Sequence, residues 1–230
     1  MSKSALIVGA SRGLGLGLVR ELASRQWSVV GTARDPRKAT GLQALAAESG
    51  GRVAIDTVDI DRAEDIEALA RHLSKRRFDL LLVNAGVSGP EGRTALDATR
   101  DDIAGILFTN AISPVRVADR LLPQVIDGGI VAFMSSIMGS VGENTFGGHD
   151  LYRISKASLN MLARNVEIGI ARGRRISVLC LHPGWVRTDM GGPDAPLDIP
   201  ESVRGLADVL EAKHSPGHRY LDYTGRELSW

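Results

Sequence analysis

Tyr152 and Lys156 stand four residues apart in Tyr152-Arg153-Ile154-Ser155-Lys156, at the head of a long stretch with helical periodicity. That spacing is about one helical turn, so an ammonium can sit on the same face as the phenol ring. A phenol with a pKa of about 10 is a poor acid or base at neutral pH, and a cation that stabilises phenolate lowers that value. Such a pair can pass a proton to or from an oxygen held beside it. A lone Tyr-x-x-x-Lys is equally the mark of a packed ring and a solvated lysine, so the pair needs partners. Ser135-Ser136-Ile137-Met138-Gly139 follows an apolar run. A Ser136 hydroxyl there could donate to a substrate oxygen as charge develops on it, although paired serines after a strand are also ordinary turn chemistry. Asn110, in Thr109-Asn110-Ala111, falls inside a helical pattern where asparagine is a poor former. It is either a satisfied core amide or a residue that bends the helix and holds a water for proton relay.

A possible co-reactant is suggested at the other end of the chain. Gly9-Ala10-Ser11-Arg12-Gly13-Leu14-Gly15 lies between the apolar run 5–8 and a helical pattern carrying Leu14, Leu18, Val19 and Leu22. A buried strand, a tight glycine turn and a helix start, in that order, can cradle a phosphate, because the backbone comes close and its free N–H groups point at the anion. The spacing Gly-x-x-x-Gly-x-Gly differs from the commonest dinucleotide fingerprint, and ligand-free turns can look the same. If the turn holds a dinucleotide, the end of the second strand meets the adenosine ribose. There Ala33 replaces the carboxylate that would bind free ribose hydroxyls, and Arg34 follows it. With Arg12 in the turn, two guanidiniums favour a 2′-phosphate, hence NADP(H) over NAD(H). Asp35 is the carboxylate instead if the strand ends two residues later. Asp59-Ile60 closes the third strand, where an oxygen could accept from the adenine amino group, although Asp59 or Asp61 could equally cap the next helix. Asn84-Ala85-Gly86 closes the fourth, small enough to let the sheet edge approach the ribose.

Positioning these groups requires a frame. Strand candidates fall at 5–8, 28–33, 52–58, 80–83, 129–134, 175–181 and, weakly, 219–221, with helical patterns near 14–25, 37–48, 62–75, 101–126, 151–172 and 201–213. Alternation of continuously apolar strands with helices predicts a parallel sheet covered on both faces, with ligands beyond the strands' carboxyl ends. The expectation is one α/β domain over 1–230, a Rossmann-like doubly wound sheet of about seven strands. Its nucleotide half is about 1–110 and its catalytic and substrate half about 110–230. A composition 43% apolar and 24% charged is that of an ordinary globular protein, and a net charge of +1 without a basic tract argues against nucleic acid or a membrane surface as partner. No apolar stretch reaches 18 residues and no signal peptide is evident, so a cytoplasmic location is expected. The single Cys180 excludes an internal disulfide, and histidines 72, 149, 182, 214 and 218 lack metal-ligand spacing, so no metal site is expected.

Order and spacing together resemble the short-chain dehydrogenase/reductase family from Ser4 to about Thr188. Gly9 to Gly15 is similar to that family's nucleotide loop, Asn84-Ala85-Gly86 to its sheet-stabilising motif, and Asn110, Ser136, Tyr152 and Lys156 to its catalytic tetrad. His182-Pro183-Gly184-Trp185-Val186-Arg187-Thr188 resembles its Pro-Gly segment, where Pro183 and Gly184 lead to backbone groups of Val186 and the Thr188 hydroxyl that meet the nicotinamide amide. The resemblance implies hydride transfer between NADP(H) and a carbonyl or alcohol, in reduction of a ketone, aldehyde or quinone. Tyr152 would protonate the oxygen that Ser136 holds. Lys156 would lower the Tyr152 pKa and bind the nicotinamide ribose, and Asn110 would keep a relay water. It also implies a homodimer or homotetramer through the helices near 110–126 and 151–172. Two features depart from the usual pattern: Ser136 and Tyr152 are 16 residues apart, and the loop after Thr188 is short. Both resemble a subgroup of small NADPH-dependent carbonyl reductases. A short lid implies an open, tolerant site, with Phe146, Trp185, Met190 and Leu197 as apolar walls. The rival reading is a signalling or redox-sensing protein that binds the cofactor without turnover; an intact Ser136, Tyr152 and Lys156 speaks for the enzyme.

Overall fold

The computed structural model describes residues 2–230, with backbone only at 170 and 171. Seven strands, β1 (Ser4–Val8), β2 (Ser28–Ala33), β3 (Val53–Thr57), β4 (Phe78–Val83), β5 (Val125–Met134), β6 (Ser177–His182) and β7 (Gly217–Asp222), form one sheet in the order β3-β2-β1-β4-β5-β6-β7. Every neighbouring pair is parallel. The strand order reverses between β1 and β4, so the chain leaves a crevice beyond their carboxyl ends.

Both faces of the sheet are covered, which is why the central strands read as unbroken apolar runs. Helices α1 (Gly13–Ser24), α2 (Thr40–Glu48) and α7 (Ile199–Glu211) bury Leu18, Leu22, Leu42, Leu206 and Leu210 on one face. On the other, α3 (Ala63–His72), α4 (Arg100–Leu107), α5 (Ser113–Leu121) and α6 (Asp150–Val166) surround a core that includes Leu69, Val117, Leu121, Leu159 and Phe133. Each such side chain contributes roughly 1.5–3 kcal/mol by leaving water.

The expected boundaries hold for most elements, with three instructive differences. The helical stretch expected over 101–126 is not one helix: α4 gives way to a π turn at Phe108–Ile112, α5 follows, and a 3-10 turn at Leu122–Gln124 ends it. Pro114 has no N–H to offer the Asn110 carbonyl four residues back, and Pro123 stops the helix for the same reason. Residues 125 and 126 then belong to β5, which starts earlier than the apolar run suggests because buried Val125 pairs with Phe78. Likewise α6 ends at Val166 and passes into a π turn, Glu167–Ala171. The tail, expected to carry only a weak strand, supplies the full edge strand β7 and a short antiparallel return pairing Leu221 with Glu227. No helix among the described residues is long and apolar enough to cross a membrane.

Candidate active site

A cleft of about 750 Å³ opens beyond the carboxyl ends of β1 and β4. It brings together Gly9, Ser11, Arg12, Gly13 and Leu14 of the first turn with Arg34, Asp59, Ile60, Asn84, Ala85 and Gly86 from the ends of the next three strands. Tyr152 and Lys156 on α6, and Pro183, Thr188 and Met190 after β6, close it. Gly15, Gly184, Val186, Ser136, Asn110, Phe146 and Trp185 do not line it; each has a different place.

The first turn is built from backbone. Gly9 takes a φ of +89°, and a methyl there would stand 2.7 Å from the Ala85 nitrogen. A methyl on Gly15 would overlap the Gly9 carbonyl and lie 2.8 Å from Asn84 Nδ2. The Asn84 amide donates to that same carbonyl at 2.8 Å, so the end of β4 clamps the turn. Arg12 occupies the N-cap of α1 without a side-chain cap, and no acid sits in the first helical turn. The positive end of the helix dipole therefore faces the cleft without an internal counter-charge, which suits a phosphate. The residues present fit a dinucleotide.

Two cations stand at the ribose end. Arg34 is exposed on the cleft and has no acid partner among the described residues. Asp35 is not a free carboxylate: it caps the 3-10 turn Pro36–Lys38, accepting from the Arg37 backbone and from Arg37 Nε at 3.0 Å. Arg12 reaches across the mouth to Asp189, an exposed pair worth under about 1 kcal/mol and easily exchanged for a stronger anion. Neither Asp59 nor Asp61 caps α3, whose N-cap is Arg62. Asp59 accepts from its neighbour's backbone, the Asp61 N–H. Asp61 accepts hydroxyls from Thr109 and Ser113, both at 2.7 Å, and so pins the π turn on either side of Asn110.

Side chains build the opposite end. Lys156 is buried, 5.5 Å from the centre of the Tyr152 ring, and donates to the Met134 carbonyl at 2.9 Å. Burial pushes its pKa down to about 8 and lifts the Tyr152 phenol to about 12, while the adjacent Ser136 side chain pulls Tyr152 the other way. Tyr152 is thus fully protonated at neutral pH. Ser136, half-buried, caps a 3-10 turn at Ile137–Gly139 by accepting the Met138 N–H at 3.2 Å. As a donor its hydroxyl favours the Tyr152 phenolate, which is the sense of its pull on that pKa. Asn110 is fully buried: its oxygen accepts from Val87 N, and its amide donates to Val87 O and to Ser155 Oγ. Ser155 in turn donates to the Tyr152 carbonyl, so Asn110 is a satisfied amide that braces the helix carrying Tyr152. It meets Lys156 across Gly86, where a methyl would stand 3.1 Å from Asn110 Oδ1 and 3.6 Å from Lys156 Nζ.

The remaining expectations scatter around this centre. Val186 is buried and pairs with Leu197, while Gly184 faces Leu197 and Tyr223. Trp185 is 56% exposed with its Nε1 donating to Gly191 O, and Phe146 is 66% exposed with its ring against the Arg153 guanidinium. Met190 alone of the four named walls lines the cleft; Leu197 pairs with Val186 instead. Cys180 and the histidines form no metal-binding group among the described residues. Sequence reasoning missed Asp61 as the tie to Asn110, Asp189 as the partner of Arg12, and Asn160. Only Asn160 carries a local signal, lying two helical turns beyond Tyr152.

The model of the short chain dehydrogenase family matches residues 3–196. C-signal of Myxococcus xanthus is 42% identical over 169 residues, 72% of this chain and the whole of that protein. Among solved structures, a short-chain dehydrogenase/reductase of Burkholderia multivorans with bound NADP superposes with a TM-score of 0.96 at 44% identity, covering 100% of both chains. A carbonyl reductase of Pseudomonas aeruginosa in complex with NADP gives 0.90 at 41%, again over 100% of both. With a glycine cradle at the sheet's switch point and a Tyr-Lys pair facing it, the chain belongs to the short-chain dehydrogenase family.

Proposed function

We propose that the protein is an NADP(H)-dependent carbonyl reductase acting on ketones, aldehydes or quinones, with Tyr152, Lys156, Ser136 and Asn110 as its catalytic set. The observation that carries this reading is the meeting of a protonated Tyr152 phenol, a buried Lys156 and the Ser136 side chain beside that phenol, across the cleft from a glycine cradle flanked by Arg12 and Arg34. NADP bound to the similar Burkholderia and Pseudomonas proteins supports the choice of cofactor. When bound, the reduced nicotinamide supplies the hydride. Ser136 donates to the carbonyl oxygen and steadies the charge that develops there. Tyr152 gives that oxygen its proton, and Lys156 favours the phenolate left behind. Asn110 holds the π turn beside Lys156, and its carbonyl, deprived of the Pro114 N–H, can accept from a water that returns the proton.

Consumption of NADPH with a panel of small ketones, aldehydes and quinones tests this. Tyr152→Phe should lower kcat by about 10²–10⁴-fold, the usual worth of a general acid; undiminished turnover overturns the mechanism. The wild-type profile has a sign. Reduction needs the phenol, so it stays flat below about pH 8 and declines as Lys156 loses its proton. Alcohol oxidation needs the phenolate of a group held up to about 12 in the free site, so it rises with pH. A second reading, a protein that senses the cofactor without turning it over, is favoured by the name of the relative C-signal. Tight NADPH binding without turnover on any of the panel would support it.

We also infer a homo-oligomer. Ile154, Met161 and Ile168 lie seven residues apart, each at least 46% exposed, with Phe108 and Ile112 also exposed at the π turn before α5. Light scattering should give a dimer or tetramer that Met161→Lys weakens, and a wild-type monomer overturns the assignment.

A further inference from the structure

Beneath the candidate active site lies a buried polar cluster that the proposed chemistry does not use. β5 leaves the sheet at Met134, and the next five residues, Ser135 to Gly139, turn tightly before the chain moves away. Inside that turn Gly139 N donates to the Ser136 carbonyl at 2.8 Å. The turn is then fastened to α6 at both ends by a single side chain. Asn160 Oδ1 accepts from Ser135 Oγ at 2.7 Å, and Asn160 Nδ2 donates to the Gly139 carbonyl at 3.3 Å. Asn160 and Ser135 are 4% and 2% exposed. Gly139 packs so closely on the helix that a methyl there would stand 2.9 Å from the Lys156 carbonyl carbon and 3.0 Å from Asn160 Nδ2. A third tie comes from β7, where the buried Tyr220 hydroxyl donates to the Ser136 carbonyl.

The spacing on α6 gives this cluster its meaning. Tyr152, Lys156 and Asn160 follow one another at four-residue intervals, so one face of one helix carries all three. Lys156 reaches the Met134 carbonyl just before the turn, and Asn160 brackets the turn itself. An amide is suited to this place because it accepts at one atom and donates at the other. We propose that Asn160 is a positioning residue for catalysis: by tying Ser135 and Gly139 to α6, it holds the Ser136 hydroxyl in register with the Tyr152 phenol. The inference rests on the role given to Ser136 above. A hydroxyl misplaced by about 1 Å loses most of its value to a developing charge, and the loss appears in kcat, because binding of the distant phosphates and ribose is untouched.

A double-mutant cycle in kcat for NADPH-dependent reduction tests it, with NADPH affinity followed by cofactor fluorescence and folding by thermal melting. Asn160→Ala in the wild-type background should lower kcat about tenfold and leave NADPH affinity within twofold. In a Ser136→Ala background the same substitution should cost less than twofold, because the group it positions is gone. A full tenfold loss in both backgrounds, or a loss carried by NADPH affinity, overturns the inference and leaves Asn160 a packing residue. Should Asn160→Ala fail to fold, Ser135→Ala removes one of the two ties from its other end, is nearly isosteric, and runs through the same cycle with the same expectation. The two readings fail separately. An unchanged kcat in Ser136→Ala overturns the role of Ser136 and this inference with it, whereas a reduced kcat in Ser136→Ala that adds fully to the second substitution overturns the positioning role alone.

Discussion

The two ends of the cleft are made of different material. At the nucleotide end the working groups are backbone: a left-handed Gly9, the carbonyl that Asn84 clamps, and the uncapped start of α1. Its charged side chains, Arg12 and Arg34, are exposed and replaceable. At the end proposed for catalysis the groups are side chains, and most are buried: Lys156, Asn110 and Asn160 are each no more than 4% exposed. The difference follows from the task. A diphosphate is an anion wherever it sits, so N–H groups and a helix dipole suffice to hold it. A proton transfer needs one oxygen beside another, at a controlled pKa, and only a desolvated, hydrogen-bonded side chain provides that.

The contrast can be broken at either end. Tyr152→Phe, with the largest expected effect, removes the proton donor but touches no backbone of the cradle. It should therefore lower turnover by about 10²–10⁴-fold with NADPH binding intact; loss of binding as well would mean the two ends are not separable. Gly15→Ala is the reverse case. The added methyl overlaps the Gly9 carbonyl, so overpacking of about 1–3 kcal/mol falls on the turn. NADPH affinity should drop by up to roughly a hundredfold while the pH profile of the residual activity stays as in the wild type. An unaltered dissociation constant would show that the turn is not the cradle. Arg34→Ala is the mildest. Loss of one exposed charge-assisted contact should weaken NADPH about tenfold and NADH hardly at all. Equal effects on both nucleotides would refute the assignment of Arg34 to the 2′-phosphate, leaving Arg12, now paired with Asp189, as the candidate.

Legibility in the sequence divides along the same line. The glycine turn, the small tripeptide at Asn84 and the Tyr-Lys pair are local arrangements, visible as candidates from spacing of a few residues and the freedom of glycine, and specific only when taken together along the chain. The seven strands were readable for a related reason, since a parallel sheet covered on both faces leaves apolar runs that little else explains. In the stretch 101–126, where reading by periodicity faltered most, prolines were at work: Pro114 and Pro123 broke one apparent helix into α4, a π turn and α5. Helical spacing alone cannot register a missing N–H. Of the residues expected as apolar walls, only Met190 lies on the cleft. Phe146 and Trp185 read as apolar walls, yet both stand outside the cleft, one against Arg153 and one tied to Gly191.

By itself, then, the sequence determined the succession of strands and helices, and it offered candidates for an anion-binding turn and for proton transfer. The glycine turn and the Tyr-Lys pair each depend on residues within about two helical turns of one another. Tertiary structure decided which of those groups are held and by what. Asp61 reaches Thr109 and Ser113 across about 50 residues, Arg12 reaches Asp189 across 177, and Asn160 reaches Ser135 across 25. Such pairings exist only once the sheet has set its strand order, because hydrogen bonds over that separation are specified by where the chain returns and by no feature of the residues in between.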